Sequence, residues 1–570
     1  MGFIKPSPPR YDLAAHTASP YHERIRLSCV DWVEQGFGAP ISAYVFYVLK
    51  IALYIGGWAF FVSRGVEGGI ADWWDLPVAF AKAIVWTLVF EGMGLGSGSG
   101  PLTVRNLPPF AVLAHYLRPG TLRLAPFPTV PLTGGTTRTW LDVVGYVVHI
   151  GFVFRLLAAD ELTLALVLPT VILLPLLGLR DKTIFLSARG EQYWTSMVVL
   201  AVAVAGTPIG ATTAWGQVIG FLAGAKAIQL AIWWWAATSK LNHHFPSVVA
   251  VMLQNHVLNR SKRLRRATVR SFPDDLRPSR IPTLLAHGGT GIEYLAPLLL
   301  VLGDGGTLTM IGLVVIVSFH AFIFSCFALG VPQEWNVLFI YSAIVLWSGE
   351  NALTKPWELG NPLVWLVLVV VLLVIPVYGN LVPSRVSFLP SMRYYAGNWG
   401  TSTWLLTPAA LTKIESEIPK AAKDVVAQIA RIFPEDVVRG TENRIAAFRA
   451  MHLHGRLVQR LITRAVENPD DYQLRDGELL AGVVLGWNFG DFHLHNEQLM
   501  AALQERCQFA PGEVRAVMIE SQPFHDKRWH WRIVDAADGL LLEGRAPVVE
   551  ACGQQPWPDA VQGLSDDVVL

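Results

Sequence analysis

Lysine is the residue type of this chain best placed to do chemistry. Residues 216–245, GQVIGFLAGAKAIQLAIWWWAATSKLNHHF, form a Gly/Ala-rich apolar run that holds Lys226 well inside it. The run ends in Trp233, Trp234, Trp235, Lys240, His243 and His244. At ~1.5 Å per residue it is long enough to cross the ~30 Å hydrocarbon core of a bilayer as a helix. Lys240 follows Lys226 by 14 residues, close to four helical turns, so the two ammonium groups fall near one face. A lysine inside hydrocarbon requires a polar partner or a water-filled cavity, and an amine held in apolar surroundings can serve as a base near neutral pH. That face reads as the lining of a polar pocket with Lys240 as its base. The plainer reading is a snorkelling lysine that anchors a helix end beside an interfacial tryptophan cluster.

Further ionisable side chains fall inside apolar spans: Lys82, Glu91, His149, Arg155, His287, Glu293 and His320. So many, of both signs, predict a hydrated or charge-paired cavity within a helix bundle. Glu293 sets the tightest condition, because its short stem cannot carry the carboxylate to the interface. It should lie within reach of Lys226, Lys240 or a histidine, or else stay protonated, with Lys240, Glu293 and His320 all turned to the protein interior. Lys240 and Glu293 are the expected catalytic pair, and Lys226, His244, His287, His320 and Trp235 the expected substrate pocket. Metal chemistry fits less well. His493, His495 and Glu497 face one side only if the segment is extended, whereas Asn496 reads better as the N-cap of a helix running through Cys507. No metal is expected.

The elements that must position these residues are membrane spans. Hydrophobic residues make up 52% of the chain and charged ones 16%, and the mean hydropathy is +0.40, far from soluble usage. A net charge of +1 gives no basic excess with which to hold nucleic acid. Cys29, Cys326, Cys507 and Cys552 form no CxxC pair, which suits a reducing face for the soluble parts. Hydrophobic runs predict about ten spans, near 41–63, 77–96, 140–158, 161–179, 192–208, 216–238, 282–303, 307–329, 335–349 and 362–382. Basic residues collect in the N-terminal tail and in the loops after the second, fourth and sixth spans, which makes both termini cytoplasmic in the plasma membrane. The glycine run GMGLGSGSGP (92–101) lacks the βαβ context of a dinucleotide fingerprint and reads as close helix packing or a bent span end.

The domain plan follows. Residues 1–38 are a cytoplasmic segment in which Ile25, Cys29, Trp32 and Val33 recur at helical spacing, a pattern of an interfacial helix or of one packed on the soluble domain. Residues 39–383 are the bundle and 384–410 an aromatic membrane-proximal connector. Residues 411–570 are a small cytoplasmic domain with two amphipathic helices and an α+β unit, whose strands lie in RAVMIESQPF and HWRIVDAADGLLLEGRAPV around an Ala-Asp-Gly turn. Arg449, Arg456, Arg460 and Arg464 share a helix face that could touch anionic lipid or an acidic partner, or simply be solvated. The fold class is thus an all-α polytopic membrane bundle with a small α+β C-terminal domain.

The segment WWWAATSKLNHHFPSVVAVMLQNH, followed by GIEYLAPLLLVLG, resembles the HTTM superfamily of membrane proteins, which includes the vitamin K-dependent gamma-carboxylases. The residues carrying the pattern are Lys240, Leu241, Glu293, Pro297 and Leu298. The resemblance implies that Lys240 is a base acting on a quinol or another lipid-soluble cofactor or substrate. After the lysine the chain departs from the pattern, with Asn242, His243, His244 and Phe245 replacing a tryptophan-containing stretch. The whole chain also resembles an uncharacterised actinobacterial transmembrane family. Two readings result: an enzyme acting on a lipophilic small molecule, and a non-catalytic scaffold or lipid-handling subunit with a membrane-protein partner. Membrane lipids are partners in both.

Overall fold

The computed structural model describes residues 2–97, 110–326, 333–394 and 396–558. Helix α1 is Tyr21–Gln35. The bundle helices are α2 Ile41–Ser63, α3 Pro77–Gly92, α4 Trp140–Ala158, α5 Leu164–Arg180, α6 Tyr193–Gly206 and α7 Ile219–Ser239. They continue with α8 Phe245–Asn255, α9 Arg280–Leu302, α10 Thr307–Ser325 and α11 Gln333–Trp347, and end at α12, Pro362–Leu381. Every expected span coincides with one of these helices. Six of them, α2, α4, α7, α9, α10 and α12, are long and apolar enough to cross a membrane. The other four, α3, α5, α6 and α11, have 14 to 17 residues, short of the ~20 that a lipid-exposed crossing needs. Helix α3 is buried along its whole length, so it is a core element surrounded by the others.

The connecting segments gather into two separate sets. In one, Trp215 Nε1 donates to the Asp75 carbonyl at 2.8 Å, Leu162 bridges to Ile209, and Lys355 pairs with Asp304. In the other, the α3–α4 connection reaches the C-terminal region through Arg118 and the Lys420 carbonyl at 3.0 Å. Lys182, after α5, donates to the side-chain oxygen of Gln498 at 2.7 Å, and Arg265, before α9, donates to the Glu34 carbonyl at 2.7 Å. The basic loops, the N-terminal segment and the C-terminal domain, as far as described, therefore share one face of the bundle, called here the domain face.

Strands β1 Thr401–Leu406, β2 Gln473–Asp476, β3 Val514–Ile519, β4 Arg528–Asp535 and β5 Gly539–Pro547 form an antiparallel sheet in the order β2-β1-β3-β4-β5. The last three match the sequence reading, with Gly539 at φ +81° in the hairpin. The segment 384–410, read as a connector, supplies β1. It pairs with β3 from Thr401 opposite Ile519 to Leu406 opposite Val514. Partners over 100 residues apart left no local signal for it.

Two surface patterns are packed inside the protein. Of the two readings of helix α1, the packing observed is that on the C-terminal domain: Cys29, Trp32 and Val33 are fully buried against Ala447, Ala450 and Met451 of helix α13, Glu435–Met451. The arginine face is not a docking surface. In α13, Arg449 pairs with Asp476 and Glu478. In helix α14, Leu453–Ala465, Arg456 and Arg460 are buried. Arg456 donates to the Ala551 and Gln554 carbonyls and Arg460 to those of Gln555 and Trp557. Carbonyls of residues 551–557 thus accept from both guanidinium groups inside the chain, through Nη1 in the case of Arg456.

Candidate functional site

Helix α7 stops at Lys240 because a polar turn follows. The Asn242 side-chain oxygen accepts from the backbone N–H of His244 at 2.7 Å and of Phe245 at 3.3 Å, and Pro246 then opens α8. Lys240 thus sits at the corner where α7 gives way to α8. Glu293 lies mid-way along α9, and Pro297 four residues on has no N–H to return to its carbonyl. Lys240 Nζ donates to Glu293 Oε2 and the two form a buried ion pair, 8% and 4% exposed. Phe245 and Phe319 flank the ammonium at 5.1 and 5.8 Å from their ring centres.

His320 of α10 completes the group. Trp233 Nε1 donates to His320 Nε2 at 2.8 Å, so Nε2 carries no proton, and the Nδ1 N–H donates to Asn336 Oδ1 at 3.0 Å. Its two ring nitrogens are thereby fixed in the neutral tautomer. Lys240, Glu293 and His320 all border one cavity of about 650 Å³, together with Trp335, Asn336 and Tyr394. This size falls within the ~300–1,000 Å³ of small-molecule sites. Its rim is made by Leu284, Val314 and Phe322, which are 70%, 63% and 49% exposed. The cavity therefore opens sideways, between α9 and α10, through a largely apolar mouth in which Ser318 is the polar residue.

Glycine shapes that mouth. A Cβ at Gly288 would meet nothing within 4 Å, whereas one at Gly312, lower on the same helix pair, would lie 3.0 Å from the Ala296 carbonyl. Gly312 serves close packing of α9 on α10, and Gly288 leaves open space.

Four of the expected pocket residues lie elsewhere. Lys226 sits about 21 Å along α7 from Lys240, at the opposite face. Its Nζ donates to the Asn351 and Thr354 carbonyls at 2.6 and 2.7 Å, over the Trp347 ring at 4.3 Å. Spacing had put both lysines on one helix face, and helix length separates them. Trp235 Nε1 donates to the Leu372 carbonyl at 2.7 Å, inside the π-helical turn Val370–Val374 of α12, so it closes a backbone gap. His287 is exposed on α9, outside the cavity lining. His244 is buried under the C-terminal domain, its Nε2 bonded to Gln522 Oε1 at 3.0 Å, and burial pushes it down to about 4. The metal-like cluster separates as well. His493 Nε2 bonds the Pro383 carbonyl and His495 Nδ1 the Ser402 hydroxyl. Glu497 pairs with Arg532, and Asn496 caps the following helix.

The sequence reading missed Trp233, Asn336, Trp335 and Tyr394. Trp233 belonged to a tryptophan run whose members face different ways, and the other three carry no charge that a membrane span would mark.

Residues 1–564 match the profile of a family described as transmembrane proteins of unknown function, DUF3556. The chain belongs to the DUF3556 family. No curated protein and no solved structure matches it. Membership over almost the full length agrees with the resemblance to an uncharacterised transmembrane family and with the six long apolar helices. No link to the HTTM or carboxylase proteins accompanies it.

Proposed function

We propose that this DUF3556 protein is an integral membrane enzyme that takes a lipid-soluble substrate, a quinol or another lipophilic molecule, into the side cavity and acts on it with Lys240 as base. The observation that carries the reading is the Lys240–Glu293 pair, buried at an apolar cavity whose mouth faces outward from the bundle. A buried ion pair is weak evidence for stability, because desolvation offsets the Coulomb gain, so its retention at a cavity wall argues for chemistry. Glu293 holds the ammonium in place and receives or returns its proton. His320, held neutral between Trp233 and Asn336, shapes the cavity and presents no charge. The HTTM-like pattern around Lys240 and Glu293 points the same way.

The reading uses ten crossings of the plasma membrane with both termini in the cytoplasm. Support comes from the two sets of connections and from the basic residues on the domain face, which the positive-inside rule places in the cytoplasm. The test is turnover. Protein in nanodiscs is incubated with a membrane lipid extract, and consumed and produced lipids are followed by mass spectrometry. Lys240→Met should lose at least about 100-fold of any conversion, the usual worth of a positioned base, while still eluting as a folded protein, though with a lowered melting temperature. Conversion unchanged in Lys240→Met overturns the assignment.

A further inference from the structure

The charge at the inner wall of the cavity decides what class of lipid it admits. Among the described lining residues the ionisable ones are Lys240, Glu293, His320 and Tyr394. Lys240 and Glu293 cancel each other. His320 is neutral because its Nε2 accepts from Trp233 and its Nδ1 donates to Asn336. The Tyr394 hydroxyl donates to Glu191 Oε1 at 3.2 Å, away from any charge in the cavity itself. The wall therefore offers no unpaired charge to a ligand. A fatty acid or another acidic amphiphile would bring a carboxylate against Glu293, and like charges at short range in a dry site repel strongly.

The hydrogen-bond pattern narrows the class again. An ammonium has three N–H donors, and Glu293 takes one of them through Oε2 alone. Donor capacity on Lys240 and acceptor capacity on Glu293 Oε1 then stand side by side. A hydroxyl satisfies both with a single atom pair: its oxygen accepts from the lysine and its hydrogen goes to the carboxylate. A ketone or an ester carbonyl accepts only, and leaves the carboxylate oxygen unserved.

Building on the lipid-pocket reading above, we infer that Glu293 is the specificity residue of the cavity: by cancelling Lys240 it excludes acidic lipids and selects a neutral lipid bearing a hydroxyl group. The juxtaposition of a neutralised ion pair, a neutral histidine and an apolar side portal carries this inference.

The test uses two photoreactive probes of equal chain length, a diazirine-bearing long-chain alcohol and the corresponding carboxylic acid. Each is offered to the full-length protein in zwitterionic nanodiscs, and crosslinked peptides are mapped. The wild type should be labelled on α9 and α10 by the alcohol, with the acid weaker by about tenfold or more, since 1.4 kcal/mol of like-charge repulsion gives that factor. Glu293→Gln frees the lysine charge and should reverse the order. Lys240→Gln/Glu293→Gln, which removes both charges, should keep the alcohol and not gain the acid. The double variant also guards against misfolding of the single one. Acid labelling equal to or above that of the alcohol in the wild type overturns the inference while leaving the lipid pocket standing, as does an unchanged order in Glu293→Gln. Absence of cavity labelling by either probe, in folded wild-type protein, overturns the pocket reading itself.

Discussion

Lys240 and Glu293 illustrate how strongly a single charge constrains a membrane chain. Turned to lipid, each would cost on the order of 2.5–3.5 kcal/mol even on the lenient insertion scale. Turned inward alone, each would be an uncompensated buried ion. The structure resolves both problems with one bond. A consequence can be measured. Lys240→Met or Glu293→Leu alone leaves its partner buried and unpaired, a loss of about 3–5 kcal/mol. The double variant Lys240→Met/Glu293→Leu leaves no charge behind, and should unfold thermally closer to the wild type than either single variant. A double variant less stable than both singles would contradict this account of the pair. The same reasoning explains which residues were legible. A carboxylate in a span needs a cation or a polar partner, or must stay protonated, so a contact of Glu293 with Lys226, Lys240 or a histidine was legible in the sequence, and the structure selects Lys240. His287 and Trp235 carry no such obligation. Whether they face a cavity depends on how α9 rotates and on a π-helical turn in α12, and neither is written in their own neighbourhoods.

Helices repeat the lesson at a larger scale. Hydrophobic length locates all ten helices, yet four of them are too short for the length rule. That rule describes a helix surrounded by lipid. Helix α3 meets other helices on every side, so its ends need not reach the headgroups to be satisfied. Counting crossings then rests on where the connections lie, and the described ones fall on two faces. If all ten helices cross, cysteines introduced at Glu67 and Glu350, both exposed, should react with a membrane-impermeant maleimide on intact cells. One at Glu435 on the domain face, with its side chain 77% exposed, should react only after permeabilisation. Native cysteines must be removed first. Reaction of the Glu435 position on intact cells would reverse the orientation, and opposite behaviour of the Glu67 and Glu350 positions would break the count. Strand β1 shows the limit of local reading. Its TSTWLL sequence sits among aromatics and prolines, and only its distant partners β2 and β3 make it a strand.

At the scale of the molecule, the bundle and the C-terminal domain meet through histidine. His244, from the turn that carries Lys240, lies edge-on to Trp529 of the sheet, their ring centres 5.3 Å apart. His452 and His454 lie between α13 and the body of α14, their rings stacked at 5.8 Å beside Trp399. His452 Nδ1 donates to the Phe448 carbonyl at 2.7 Å and His454 Nδ1 to that of Gly397 at 3.2 Å. One nitrogen of His244 and one of His454 have no hydrogen-bond partner. Burial pushes all three down from the ordinary 6.5, His244 to about 4, His452 to about 3, and His454 well below it. Nearby Arg449 and Arg456 add to the effect on His452. The sign follows from proton binding. Between about 6.5 and 4 the separated histidines take up protons and the docked ones do not, so acid favours separation. Docking is fully present above about pH 6.5 and weakens as pH falls toward 4, by up to about 3 kcal/mol for His244. Hydrogen exchange of α14 and of the Lys240 turn should therefore accelerate together from pH 7.5 to pH 5, after correction for the intrinsic rate. The variant His244→Gln/His454→Gln should flatten that response. Exchange in the wild type that stays level over this range, after the same correction, would show that these histidines do not hold the two parts together.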